Sequence, residues 1–208
     1  MSKAISIDKI IESTLDGIDE SMEIYQKWSG GEWLWNAPEY LITVKIAENI
    51  AKINGSKYIT LEDNVDYILD VSNAKNKGQV SDLARANGRS DIVLWWAGGT
   101  PRAIIEVKNA VFGLDKISQD IDRIQEVLKS EQLDTSLQFG LIAFYIDRGY
   151  KTGNAKENVQ KRIYKIFNEI KEQYPDMFCK LDFRKKEIIK DDNDAWASVV
   201  FLLKVNIS

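Results

Sequence analysis

Residues Arg89 to Asn109, RSDIVLWWAGGTPRAIIEVKN, place an acid at the head of one apolar run and an acid-x-lysine triplet at the foot of the next. Gly98-Gly99 between the runs predicts a β-hairpin in which Trp96 faces Pro101 and Asp91 faces Glu106. Directly opposed residues share a face of the sheet, with Cβ atoms roughly 4.5–5.5 Å apart. Lys108 returns to that face about 6.6 Å along the strand, while Val107 points the other way. One stretch of chain thus gathers two carboxylates and an ammonium on a single patch.

Two carboxylates this close repel, and one of them protonates unless a cation lies between them. A divalent ion with oxygen ligands resolves the conflict, and Mg²⁺ takes one or two carboxylates plus waters and phosphate oxygens. The plainer alternative is a surface salt bridge between Lys108 and the acids. Against it, Asp91 begins IVLWW and Glu106 ends AII, so the polar patch sits on strands apolar enough to be buried on both faces. Glu169-Ile170-Lys171 has the same spacing but lies in a helical stretch, where its ends point roughly 200° apart and do not converge.

Asp91 followed on the next strand by Glu106-Val107-Lys108 resembles the D…(D/E)-x-K signature of the PD-(D/E)XK nuclease superfamily, the restriction-endonuclease-like fold. The resemblance covers the core from roughly residue 37 to 147. Ser90, where the signature has a loosely kept proline, is the visible departure. The resemblance implies an α/β fold, with a mixed central β-sheet flanked by helices in a three-layer core behind an N-terminal helical extension. It also implies a Mg²⁺- or Mn²⁺-dependent phosphodiesterase acting on nucleic acid, DNA before RNA, of the restriction or phage-defence type. Asp91, Glu106 and the Val107 carbonyl would hold the metal, and Lys108 would orient or deprotonate the attacking water.

The superfamily often adds an acid from the helix before the sheet, and Glu39 and Glu48 are the candidates. At 100° per residue Glu39 lies on the stripe of Ile46, Ile50 and Ile53, whereas Glu48 faces water. Glu39 is therefore the expected helper of a second metal or its water. The alternative is an acid stabilised by the helix N-terminus behind Pro38. Arg89, expected opposite Lys108, would bind phosphate at the rim or else pair with Asp91 or Glu106. Gln119, Asp120 and Arg123 echo the polar helix that supports the site in some superfamily members, with Arg123 where a tyrosine is usual. Asp120, nearer the Ile117/Ile121/Ile124/Leu128 stripe, is expected to be a buried partner.

Composition narrows the chemistry. The 208 residues contain no histidine, which excludes HNH-type nucleases, histidine-based triads and ordinary zinc sites. Cys179 is alone, which excludes an intrachain disulfide and suits a reducing cytoplasm. No apolar run reaches the roughly 18 residues needed to span a membrane, and the start shows no secretion signal. The net charge of −4 argues against a generic nucleic-acid coat. Ten Lys/Arg stand against six Asp/Glu in residues 155–190, which supplies phosphate contacts or simply a solvated helix face.

The whole chain, 1–208, reads as one domain: an N-terminal helix within 1–30, the core 37–147, and a C-terminal helix and strands in 155–208. Helices are expected over 7–27, from Pro38 to about Ile53, 62–71, 114–130 and 155–173. Strands are expected over 57–61, 139–146, 180–188 and 195–206, besides the hairpin, with a polar loop over 72–88. The six tryptophans offer stacking surfaces for bases, or core and subunit packing. No separate recognition domain stands out, so specificity would come from loops, a homodimer or a separate subunit. A second reading, from a different class, is a non-catalytic member of the fold that binds nucleic acid or protein. Clustering like charges offers a pure scaffold nothing.

Overall fold

The computed structural model of the chain describes residues 4–55, 57–72, 88–129, 135–149, 154–187 and 194–205. β2 (Arg89–Trp96) and β3 (Pro101–Lys108) form the predicted antiparallel hairpin, in the expected register from Ile92↔Ile105 to Leu94↔Ala103. Near the turn the register slips at Leu94/Trp95, so Pro101 pairs with Trp95 and not with Trp96. A one-residue bulge accommodates the twist of the hairpin end without moving the opposite, polar end.

β1 (Lys57–Asn64) pairs antiparallel with β2 on one side, and β4 (Phe139–Gly149) pairs parallel with β3 on the other. β5 (Met177–Glu187) and β6 (Asp194–Val205) complete a six-stranded mixed sheet in the order β1-β2-β3-β4-β6-β5. Parallel β3 and β4 require a crossover, and α4 (Ser118–Leu128), preceded by a 3₁₀ turn at Leu114–Lys116, provides it.

Helices cover both faces, in the α/β/α layering expected. α1 (Ile7–Ser29) and α2 (Glu39–Lys52) bury Ile11, Leu15, Ile18, Ile42, Ile46 and Ile50 against Ile92, Leu94, Ile105 and Val107. α3 (Val65–Val71), α4 and α5 (Ala155–Gln173) cover the opposite face, where Val93, Ile104 and Phe144 lie. α1 starts at Ser6, whose hydroxyl accepts from the Lys9 amide, and stops at Gly30 in the left-handed conformation, as Ser29-Gly30-Gly31 predicts.

Several boundaries differ from expectation: β4 runs on to Gly149, β5 begins at Met177, and the helix expected over 114–130 is a 3₁₀ turn followed by Ser118–Leu128. Residues 62–64, expected in a helix, extend β1, because pairing with β2 continues to Asn64↔Arg89. The Asn64 side chain then caps α3 by accepting from the Asp66 and Tyr67 amides. Most of the expected polar loop, residues 73–87, lies outside the described residues. No described helix is long and apolar enough to cross a membrane.

α1 and α2 approach closely where Gly17 meets Ile46: a Cβ on Gly17 would stand 2.5 Å from the Ile46 Cα. Backbone at that distance cannot swing aside as a side chain can. Gly17→Ala gains about 1 kcal/mol of helix propensity but overpacks this crossing. The expected net effect is destabilisation by about 1–2 kcal/mol, read by chemical denaturation; a more stable variant would show that the two helices separate freely.

Candidate functional site

The polar end of the hairpin faces α4. Asp91 lies two residues before Val93 and Glu106 two after Ile104, and Val93 and Ile104 belong to the core beneath α4. Strand alternation therefore puts Asp91, Glu106 and Lys108 on that same side. Asp91 Oδ2 accepts from the Val107 amide at 2.7 Å, so the acid also ties the two strands together. Glu106 is 1% exposed. Its Oε2 accepts from Arg123 Nη1 at 2.8 Å, and its Oε1 is buried with no hydrogen-bond partner.

α4 supplies the neighbouring charges. Asp120 Oδ2 lies 3.3 Å from Lys108 Nζ, and Asp120 Oδ1 lies 3.5 Å from Arg123 Nη1. Asp120 is buried, as its place beside the apolar stripe predicts, whereas Gln119 is exposed. Close approach of α4 to β4 depends on Gly140, where a Cβ would meet Ile124 Cγ2 at 2.3 Å.

Glu39 arrives from the other helical layer at the first turn of α2. Its Oε1 is 3.8 Å from Lys108 Nζ, and its Oε2 accepts from the Asn109 amide at 2.8 Å. The Asn109 side chain donates to the Leu34 and Ala37 carbonyls at 2.9 and 3.0 Å, fastening the turn before α2 to the end of β3. Glu39 is not wholly on a buried stripe, since its side chain is 41% exposed. Glu48 is exposed and paired with Lys45 and Lys52.

Lys108 thus sits between Asp120 and Glu39, and its ammonium also donates to the Val107 carbonyl at 3.2 Å. Arg89 is exposed at the start of β2, registered against Asn64 of β1; its expected pairing with Lys108 is not part of the β2–β3 register. Arg123, expected as a member of the supporting polar helix, stands three residues after Asp120 and so on the same side of α4. One participant, Glu62, is absent from the expectations. Glu62 lies between the pairs Leu61↔Ile92 and Asp63↔Ser90, beside Asp91, with a positive φ of 57°. Such a backbone is strained for glutamate and collects at functional sites. Nothing in the sequence signals it, because Glu62 reads as the start of a helix.

Five carboxylates (Glu39, Glu62, Asp91, Glu106, Asp120) face two cations (Lys108, Arg123), leaving three negative charges uncompensated when all seven ionise. Burial pushes the Glu106 carboxyl up to about 8, with Asp91 and Asp120 adding to the rise and Arg123 opposing it. Burial also raises Asp91, helped by Glu39 and Glu62 and opposed by the Val107 amide and Lys108. For Lys108, burial disfavours the charge, but Asp120, Glu39, Asp91 and Glu106 outweigh it and hold the ammonium above its ordinary value.

Among the described residues, no group of three acidic, cysteine or histidine side chains stands ready to hold a metal ion. The donor chemistry nevertheless suits a hard divalent cation: all ligand candidates are oxygens, and Glu106 Oε1 is a buried acceptor without a donor. No family model, no curated protein and no solved structure matches this chain.

The raised Glu106 carboxyl has a consequence for stability. Its folded value lies above its unfolded one, so its contribution is complete below about pH 4.5 and is lost as pH rises through about 8. Without metal, the stability of the wild type relative to Glu106→Gln is expected to fall between about pH 5 and pH 9. Parallel stability curves for the two proteins would show that Glu106 is ionised throughout.

Proposed function

We propose that this protein is a metal-dependent nuclease that hydrolyses phosphodiester bonds, DNA being the expected substrate and Mg²⁺ or Mn²⁺ the cofactor. The observation that carries the reading is the buried Glu106 Oε1, left without a hydrogen-bond partner on the sheet face that also presents Asp91 and Lys108. A hairpin followed by a helix and a parallel strand is also the order expected of a restriction-endonuclease-like core.

Asp91, Glu106 and the Val107 carbonyl would hold the ion, with Glu39 assisting a second ion or its water. When bound, such an ion lowers the pKa of its water and neutralises charge on the phosphoryl oxygens. The chain itself does the rest. Lys108, kept protonated by its acids, orients the attacking water and the phosphate. Asp120 and Glu39 hold the Lys108 ammonium in place, and Asn109 keeps Glu39 against the strand end. Arg89, exposed at the rim, meets a flanking phosphate. Exposed Trp28 at the end of α1, and Trp35 and Tyr40 around the start of α2, offer flat surfaces to bases or to a second subunit. A cytoplasmic location agrees with the single cysteine.

The second reading, a non-catalytic nucleic-acid- or protein-binding module, is favoured by the Arg123–Glu106 contact, which supplies a cation from within the chain. Metal titration and cleavage assays separate the two. The nuclease reading expects Mg²⁺ to raise the melting temperature through linkage and to support cleavage of single- or double-stranded DNA. Lys108→Ala is expected to abolish most of the cleavage while Mg²⁺ still stabilises the protein. Asp91→Ala is expected to lose both the stabilisation and the cleavage. Undiminished cleavage by both variants would place the chemistry elsewhere on the chain.

A further inference from the structure

We propose that Arg123 is the phosphate-binding arginine of this site, and that its grip on Glu106 makes metal binding and substrate binding mutually reinforcing. The inference rests on the nuclease reading and adds to it a residue with two alternative partners.

Arg123 and Lys108 are not equivalent cations. The Lys108 ammonium is engaged by Asp120, Glu39 and the Val107 carbonyl. Arg123 uses one nitrogen, Nη1, for Glu106 and Asp120, while its Nε is buried with no acceptor. A buried donor left unpaired is costly, and a guanidinium presents its donors as a planar fork matched to two oxygens of one anion. The open Nε and the open Glu106 Oε1 are therefore complementary vacancies, one for an anionic oxygen and one for a cation.

The two vacancies are coupled through Glu106. With no substrate, the guanidinium held at 2.8 Å from Glu106 Oε2 repels a divalent ion brought to the same group. A phosphate that takes Arg123 onto itself lifts that repulsion and releases Oε2. By reciprocity, an ion on Glu106 displaces Arg123 toward phosphate, since coupling between two ligands is the same in both directions. A metal-free protein of this kind stays charge-neutralised at its most buried acid and assembles its full site only around substrate.

Mn²⁺ affinity, measured by calorimetry on the full chain, tests this without any activity readout. Sulfate serves as the tetrahedral anion, against chloride at equal ionic strength. In the wild type, sulfate is expected to tighten Mn²⁺ binding by about fivefold or more, within the usual range of coupling between sites. Arg123→Gln is expected to bind Mn²⁺ about tenfold tighter than the wild type without sulfate, and to show no sulfate effect. An arginine with a merely structural role predicts the opposite, weaker Mn²⁺ binding in the variant. Arg123→Lys, which keeps the charge and loses the fork, is expected to match the wild-type Mn²⁺ affinity and lose the sulfate effect; it decides the matter should Arg123→Gln fail to fold. Wild-type Mn²⁺ binding that is indifferent to sulfate, or equal in wild type and Arg123→Gln, overturns the coupling and leaves the nuclease reading standing. Absence of Mn²⁺ binding in every protein overturns both.

Discussion

Glu106 lies at the end of a strand whose other residues, Lys108 excepted, are all buried. An acid in that position is tolerated only when positive charge or a proton comes to it. Much of the local architecture answers that demand. α4 is drawn close to β4 over Gly140 and brings Arg123 to Glu106 and Asp120 to Lys108. The turn before α2 is pinned by Asn109 and presents Glu39 to the same lysine. A chain of alternating charges results, running Glu106, Arg123, Asp120, Lys108, Glu39, with contributions from both helical layers and from the sheet between them.

Such a network is costly to bury and is left incompletely satisfied. Glu106 Oε1, Arg123 Nε and Asn109 Oδ1 are buried without hydrogen-bond partners. A purely structural network gains by closing every such gap, since each open polar group is destabilising. Three such atoms lie along this charge network, near a strained glutamate in β1, and others lie elsewhere in the sheet, at Tyr145 and Ser198 among them. The rest of the sheet is packed mainly by aliphatic and aromatic side chains, with buried polar atoms of Tyr145, Asp147 and Ser198 among them.

Much of the fold was legible in the residues because its strongest signals are local. Alternation and the Gly98-Gly99 pair define the hairpin, and steps of three and four define α1 and α5. Proline before Glu39 and glycine after Ser29 mark helix ends. The register from Ile92↔Ile105 follows from the turn and from the period of two, since a slip of one residue would turn every core side chain outward; Asp91 itself lies beyond the paired residues and meets β3 through the Val107 amide. The bulge at Leu94/Trp95 and the extension of β1 to Asn64 were not legible. Both are set by what the neighbouring strand offers, which no local pattern records.

The sequence by itself determined the composition of the site: two carboxylates and a lysine on one strand pair, no histidine or second cysteine to replace them, and an acid waiting at the head of α2. Only the tertiary structure decided how those charges are shared. Arg123 reaches Glu106 from 17 residues away because a parallel crossover lays α4 over β3 and β4. Glu39 meets Asn109 from 70 residues away because α2 packs on the opposite face with its first turn at the end of β3. Electrostatic partnership depends on distances of a few ångströms between segments remote in the chain, and periodicity carries no information about them.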